Sequence, residues 1–160
     1  MLFEVTSDGV GDVRLGVTRE QAGCDLRAWR EPRRFTRGLG FDQPDSDWMV
    51  SRPGTTAFAY CDGSGCIDAI EFATTGRGVA GSDQVMFDGV DLFIEPADTV
   101  LDRLRAKNHR VVVRSRGYDA DIPDVLLSLW RDGGPTDEST GLPLYFESAL
   151  IARPGYANRK

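Results

Sequence analysis

"AFAYCDGSGCIDAIEFA", Ala57 to Ala73, carries two of the chain's three cysteines, one on each side of Asp-Gly-Ser-Gly. It reads either as a pair of thiols gathered for metal or redox chemistry, or as a turn between two strands. Phe58 and Tyr60 alternate with Ala57, Ala59 and Cys61; beyond the turn Ile70 and Phe72 alternate with Ala69, Glu71 and Ala73. A period of two on both sides of a glycine-bearing turn is a β-hairpin signal. Cys61 and Cys66 stand further apart than the two-residue spacing of thioredoxin-like or zinc-knuckle pairs. A structural zinc site wants four N/S ligands, and the chain offers only Cys24, Cys61, Cys66 and its single histidine, His109. The expectation is therefore two small strand residues beside a turn, with no metal and no cofactor. A disulfide across the hairpin under oxidation stays open.

Counting alternation through the hairpin assigns its faces. If Phe58, Tyr60, Ile70 and Phe72 turn toward the helices, the other face carries Ala57, Ala59, Cys61, Ala69, Glu71 and Ala73. That face is shallow, with Glu71 as its anionic centre.

Working outward, "GVTREQAGCDLRAWREP" predicts a helix. Thr18 can cap its N-terminus with Gln21 three residues on, Ala22, Leu26 and Trp29 share one face, and Pro32 ends the pattern. Residues 33–55, rich in Gly, Pro, Asp and Ser, read as a long loop holding Trp48; residues 74–83 read as another. "QVMFDGVDLFI" reads as a tight hairpin or a strand with a glycine bulge. "EPADTVLDRLRAKN" predicts a second helix, with Pro96 at its first position, an apolar stripe of Ala97, Val100, Leu101 and Leu104, and Asn108 closing it in a left-handed conformation. "RVVVRS" (Arg110 to Ser115), "VLLSLWR" (Val125 to Arg131) and "LYFESALIA" (Leu144 to Ala152) predict strands.

The order of elements recurs. "DGV" at Asp8–Val10 and at Asp88–Val90 precedes a helix, then an aromatic-bearing strand, a "DG" turn and a strand ending in Ala. This predicts an α+β fold of one domain over 1–160, built from two helix-plus-β-hairpin repeats at about 1–78 and 79–160. Their strands would join one antiparallel sheet with the helices on one face. "RLGVTREQAGCDLRAWREP", Arg14 to Pro32, resembles the Gly-(Met/Val)-Thr helix start of the SmpA/BamE-like fold. The tandem plan is similar to that of the β-lactamase-inhibitor-like proteins, and the general look resembles actinobacterial immunity-type proteins. These resemblances imply a helix packed on a small antiparallel sheet, and a concave sheet offered to an enzyme.

The chemical motifs are sparse. "DGSGC" is not a Gly-x-Ser-x-Gly nucleophile elbow, because Asp62 and Cys66 occupy the glycine positions. "YDADIPD" (Asp119, Asp121, Asp124) lacks the glycine and terminal Glu of a calcium loop and reads as a solvated loop. No phosphate-binding glycine motif is present, and His109 follows a helix end, where it can cap the last turn. Asp68 and Glu71 lie three apart on one strand, so they point to opposite faces.

The formal charge of −6 disfavours nucleic acid and favours a basic partner. No run of about 18 apolar residues predicts a membrane helix, and the start "MLFEVTSDGVGD" lacks the pattern of a signal peptide. Three cysteines fit reduced thiols in the cytoplasm. These features converge on a non-catalytic protein-binding module of the immunity or inhibitor type, acting on a basic toxin or enzyme. Trp48, Tyr60, Trp130 and Tyr145 are its candidate aromatic anchors, Asp62 and Glu71 its candidate anions. The alternatives are a small enzyme or ligand-binding domain with an acidic pocket, in which His109 would converge with a carboxylate, and a homodimeric structural subunit.

Overall fold

The computed structural model describes residues 1–35, 47–75 and 83–156. The chain opens with three short strands, β1 (Leu2–Thr6), β2 (Gly9–Val10) and β3 (Val13–Arg14), and the helix α1 (Arg19–Leu26). Four strands follow: β4 (Arg33–Phe35), β5 (Asp47–Arg52), β6 (Thr55–Cys61) and β7 (Ile67–Thr74). Then come β8 (Gln84–Phe87), β9 (Val90–Asp91), α2 (Ala97–Ala106), β10 (Val112–Arg114), β11 (Asp119–Ile122), β12 (Leu127–Trp130) and β13 (Ser148–Ala152).

These strands form two sheets. A five-stranded sheet runs β3-β2-β1-β8-β9 and an eight-stranded sheet runs β10-β11-β12-β13-β7-β6-β5-β4. Neighbours are antiparallel except β1 and β8, which are parallel with Phe3 beside Val85 and Val5 beside Phe87. The expected α+β plan of two helix-plus-β-hairpin repeats forming a single sheet with helices on one face is therefore corrected: the protein is mostly β, its first and last strands do not repeat one unit but divide between two sheets around one core, and two α-helices lie among the described residues. The small sheet escapes sequence reading because its central pairing joins residues about eighty positions apart, and no turn announces such a pair.

The core lies between the sheets. Phe3 and Val5 of β1, Val85 and Phe87 of β8, and Ile70 and Phe72 of β7 are all 4% exposed or less. Three elements meet at an aromatic junction: the ring of Phe3 lies 5.0 Å from those of Trp29 and Phe72, and Trp29 lies 5.9 Å from Phe72. Burying each such ring stabilises the fold by roughly 1.5–3 kcal/mol, so the junction couples the turns after α1, the small sheet and the large sheet.

Local chemistry explains the helices. The Gln21 amide donates to Thr18 Oγ1 at 3.3 Å, but the Gln21 side chain donates to Asp25 rather than back to the cap. The capping box is thus half formed, and α1 stops at Leu26, with Trp29 in the turns after it. In α2 Pro96 is the N-cap rather than the first helical residue, and Asn108 is left-handed at φ 67°.

Two predicted loops are strands in part. The stretch 33–55 contains β4, β5 and the start of β6, with 36–46 outside the described residues. Much of the loop at 74–83 lies outside them too. Asp119 and Asp121 belong to β11, where Ser128 Oγ donates to Asp121 at 2.7 Å and Arg114 pairs with it at 2.7 Å. The turn at Asp88-Gly89 is a tight hairpin between β8 and β9, both residues having positive φ.

Candidate functional site

The β6–β7 hairpin is real, and its face assignment is corrected. At the turn Cys61 pairs with Ile67, but one step further Tyr60 pairs with Ala69, so Asp68 is an extra residue on β7. A bulge of one residue inverts every face beyond it relative to a straight count. Ala57 sits opposite Phe72 and Phe58 opposite Glu71. Ala57, Ala59 and Cys61 therefore point into the core with Ile70 and Phe72, whereas Phe58 and Tyr60 point outward with Ala69, Glu71 and Ala73.

The outer face continues across neighbouring strands. Leu150 of β13 lies opposite Glu71 and Ser148 opposite Ala73; Trp130 of β12 lies opposite Ser148 and Ser128 opposite Leu150. Both helices and the small sheet contribute to the main core cluster on the other side. The outer face has its own small cluster: Ala69, Leu150 and Ala152 are buried under half-buried Tyr60, Trp130 and Tyr156. Phe35 of β4 extends the aromatic surface, with its ring 5.4 Å from Phe58 and 6.1 Å from Tyr60. The Phe58 and Tyr60 rings are parallel within 3° at 6.1 Å.

Glu71 stands in the middle of this surface. Tyr60 donates its hydroxyl to Glu71 Oε2 at 2.6 Å, and Ser148 Oγ donates to Oε1 at 2.8 Å. Each hydrogen bond to an ionised carboxylate contributes about 1.5–3 kcal/mol. The two donors fix the plane of the carboxylate and still leave lone pairs on both oxygens. Beside it runs a groove of about 590 Å³, lined by Thr56, Phe58, Glu71, Ala73, Ser148 and Arg52. A second groove, about 250 Å³, follows the same face toward Arg114, Asp121, Leu126 and Tyr156.

Of the residues expected to bind, Tyr60, Glu71 and Trp130 share this face. Trp48 does not. It packs against the core, donates Nε1–H to the Arg19 carbonyl at 2.8 Å, carries the Arg34 guanidinium 4.6 Å above its ring, and fills the space over Gly23. Asp62 shapes the turn: its Oδ1 accepts from the Ser64 amide and hydroxyl and from the Cys66 amide. Tyr145 is half-buried in the segment between β12 and β13, outside the strand pairing. Ser148 and Phe35 were not foreseen. Nothing local in "LYFESALIA" could reveal a bond from Ser148 to Glu71, 77 residues away.

The remaining chemical groups are accounted for elsewhere. Burial pushes the Cys61 thiol up, which disfavours the reactive thiolate. His109 does meet a carboxylate, Asp88 Oδ2 at 3.2 Å, with its ring 4.9 Å from Phe87, but neither His109 nor Asp88 lines the two grooves described above. Arg131, 4% exposed, ties the β12–β13 segment down: it donates to the Gly117 and Pro143 carbonyls and to Asp98 Oδ1 at 2.7, 3.2 and 3.1 Å.

No protein-family model, curated protein or solved structure matches this chain. Among the described residues no helix is long and apolar enough to cross a membrane.

Proposed function

We propose that the protein is a non-catalytic protein-binding module whose contact surface is the outer face of the eight-stranded sheet, an antagonist of a basic protein such as a toxin or enzyme. The observation that carries this reading is the grouping of Phe35, Phe58, Tyr60 and Trp130, all half-buried, around a half-buried carboxylate on one broad sheet face. Aromatic side chains with apolar bodies and polar tips dominate interface hot spots. The charge of −6 supports a basic partner and a salt-dependent association rate.

Capture from the source organism, with the wild-type chain and the Phe58→Ser/Trp130→Ser double variant as parallel baits, tests the reading. One basic partner retained by the wild type and lost by the double variant is the expected result. Equal retention by both baits overturns it, as does self-association through this face measured by sedimentation.

A further inference from the structure

We propose that Glu71 is the docking point for an arginine side chain presented by the protein partner. This rests on the docking-face reading above. Glu71 is half-buried, oriented by Tyr60 and Ser148, and has no lysine or arginine partner among the described residues. An oriented carboxylate with open lone pairs and no compensating cation is poised for an incoming one.

The chain's own arginine in the same groove is engaged elsewhere. Arg52 donates Nε and Nη2 to Asp83 at 2.6 and 3.2 Å, and Nη1 to the Trp29 carbonyl at 3.0 Å. It lines the groove without forming a hydrogen bond or ion pair with Glu71.

The surroundings select a guanidinium over an ammonium. Phe58 lies directly across the strand pair from Glu71, and its ring parallels that of Tyr60. A planar, weakly hydrated guanidinium can stack on such rings while its N–H fork meets a carboxylate; a compact ammonium matches only the charge. Thr56, Ala73 and Ser148 are small, and the resulting groove of about 590 Å³ lies within the range of about 300–1,000 Å³ typical of ligand clefts. Net charge supplies complementarity at long range and Glu71 supplies it at contact.

The test uses the full chain labelled with ¹⁵N and titrated with N-acetyl-L-arginine N-methylamide, or with its neutral citrulline counterpart of nearly the same shape. Saturable shifts at the amides of Phe58, Glu71 and Ser148 are expected with the arginine probe, and binding at least about tenfold weaker with citrulline. Glu71→Gln, which keeps shape and removes charge, should bring arginine down to the citrulline level. Equal binding of the two probes, unchanged arginine binding by the Gln variant, or shifts centred elsewhere overturns the proposal. The two readings fail separately. A partner that needs Phe58 and Trp130 but survives Glu71→Gln leaves the docking face and removes the arginine anchor. A partner indifferent to Phe58 and Trp130 removes the docking face itself.

Discussion

The two faces of the eight-stranded sheet are built from the same strands with opposite arrangements of large and small side chains. On the inner face Ala57 and Ala59 of β6 sit beside Phe72 and Ile70 of β7, and Ala149 and Ile151 of β13 continue the row, all 4% exposed or less. Small residues on one strand make room for large ones on the next, so the face interdigitates with Phe3, Trp29 and the small sheet. On the outer face the order reverses. Aromatic rings stand on β6, alanines and one glutamate on β7, and all of Phe58, Tyr60 and Glu71 stay half-buried. Stability is concentrated on the first face, the proposed contact surface is the second, and substitutions should separate them.

The largest expected effect is on the inner face. Phe72→Ala empties the junction shared by three elements and should destabilise the fold by about 3–5 kcal/mol, read as a lower urea midpoint with unchanged slope. A loss below about 1 kcal/mol would mean that the two sheets are not coupled through this ring.

Arg131 comes next. Arg131→Met keeps the apolar stem but leaves the buried bond to the Pro143 carbonyl and the bond to Gly117 unmade. Its Asp98 partner is largely exposed and recovers water, so the backbone acceptors dominate, and a loss of about 3 kcal/mol is expected in the same measurement.

Gly23→Ala sets two effects against each other. Alanine gains about 1 kcal/mol of helix propensity over glycine. Its methyl would lie 2.7 Å from Trp48 Cζ2, and the indole is held by its bond to the Arg19 carbonyl. Overpacking of this kind costs about 1–3 kcal/mol, so a net loss of about 1 kcal/mol is expected. A net gain would show that Trp48 moves freely.

Asp83 gives the comparison a pH dependence. Burial by itself would raise its carboxyl, but the hydrogen bonds and positive charges of Arg52 and of the Met1 ammonium together outweigh burial and hold it below the ordinary value. A lowered folded-state pKa contributes stability that is present above the unfolded value of about 3.9 and is lost as pH falls through the folded value. Asp83→Asn should therefore flatten the acid limb of a stability profile below about pH 4. An unchanged limb would mean that the Arg52–Asp83 pair does not form in solution. The variant also releases the arginine that lines the Glu71 groove, so the arginine probe should bind more weakly to it.

How much of this was legible in the sequence follows from distance along the chain. The two helices, the β6–β7 and β8–β9 hairpins and the general positions of β10, β12 and β13 were readable, because periodicity, caps and Asp-Gly turns are local. The β1–β8 and β7–β13 pairings were not, since each joins residues about 75–85 positions apart. The small sheet went with them, and so did the Ser148–Glu71 bond. The sheet faces failed for another reason. Alternation was read correctly on each strand, but the extra residue Asp68 in the β7 ladder shifts the phase between them, and buried Asp68 carries no composition signal for a bulge. Tyr60, Glu71 and Trp130 could be nominated as residue types; that they share one face could not.

The smallest expected effect on stability is also the sharpest test of the comparison. Phe58 and Phe72 stand on the two strands of one hairpin but on opposite faces of it. Phe58→Ser removes a half-buried ring that touches Phe35 and stacks on Tyr60, so it should destabilise by about 1 kcal/mol, far less than the loss at Phe72. The serine is small and polar, and the outer face can rehydrate around it, which the dry junction behind Phe72 cannot do. If the outer face is a binding surface, the same change should abolish arginine-specific shifts at Glu71 while the unfolding transition barely moves. A large stability loss at Phe58 would instead mean that the outer face is a second core, and the division of labour between the two faces would collapse.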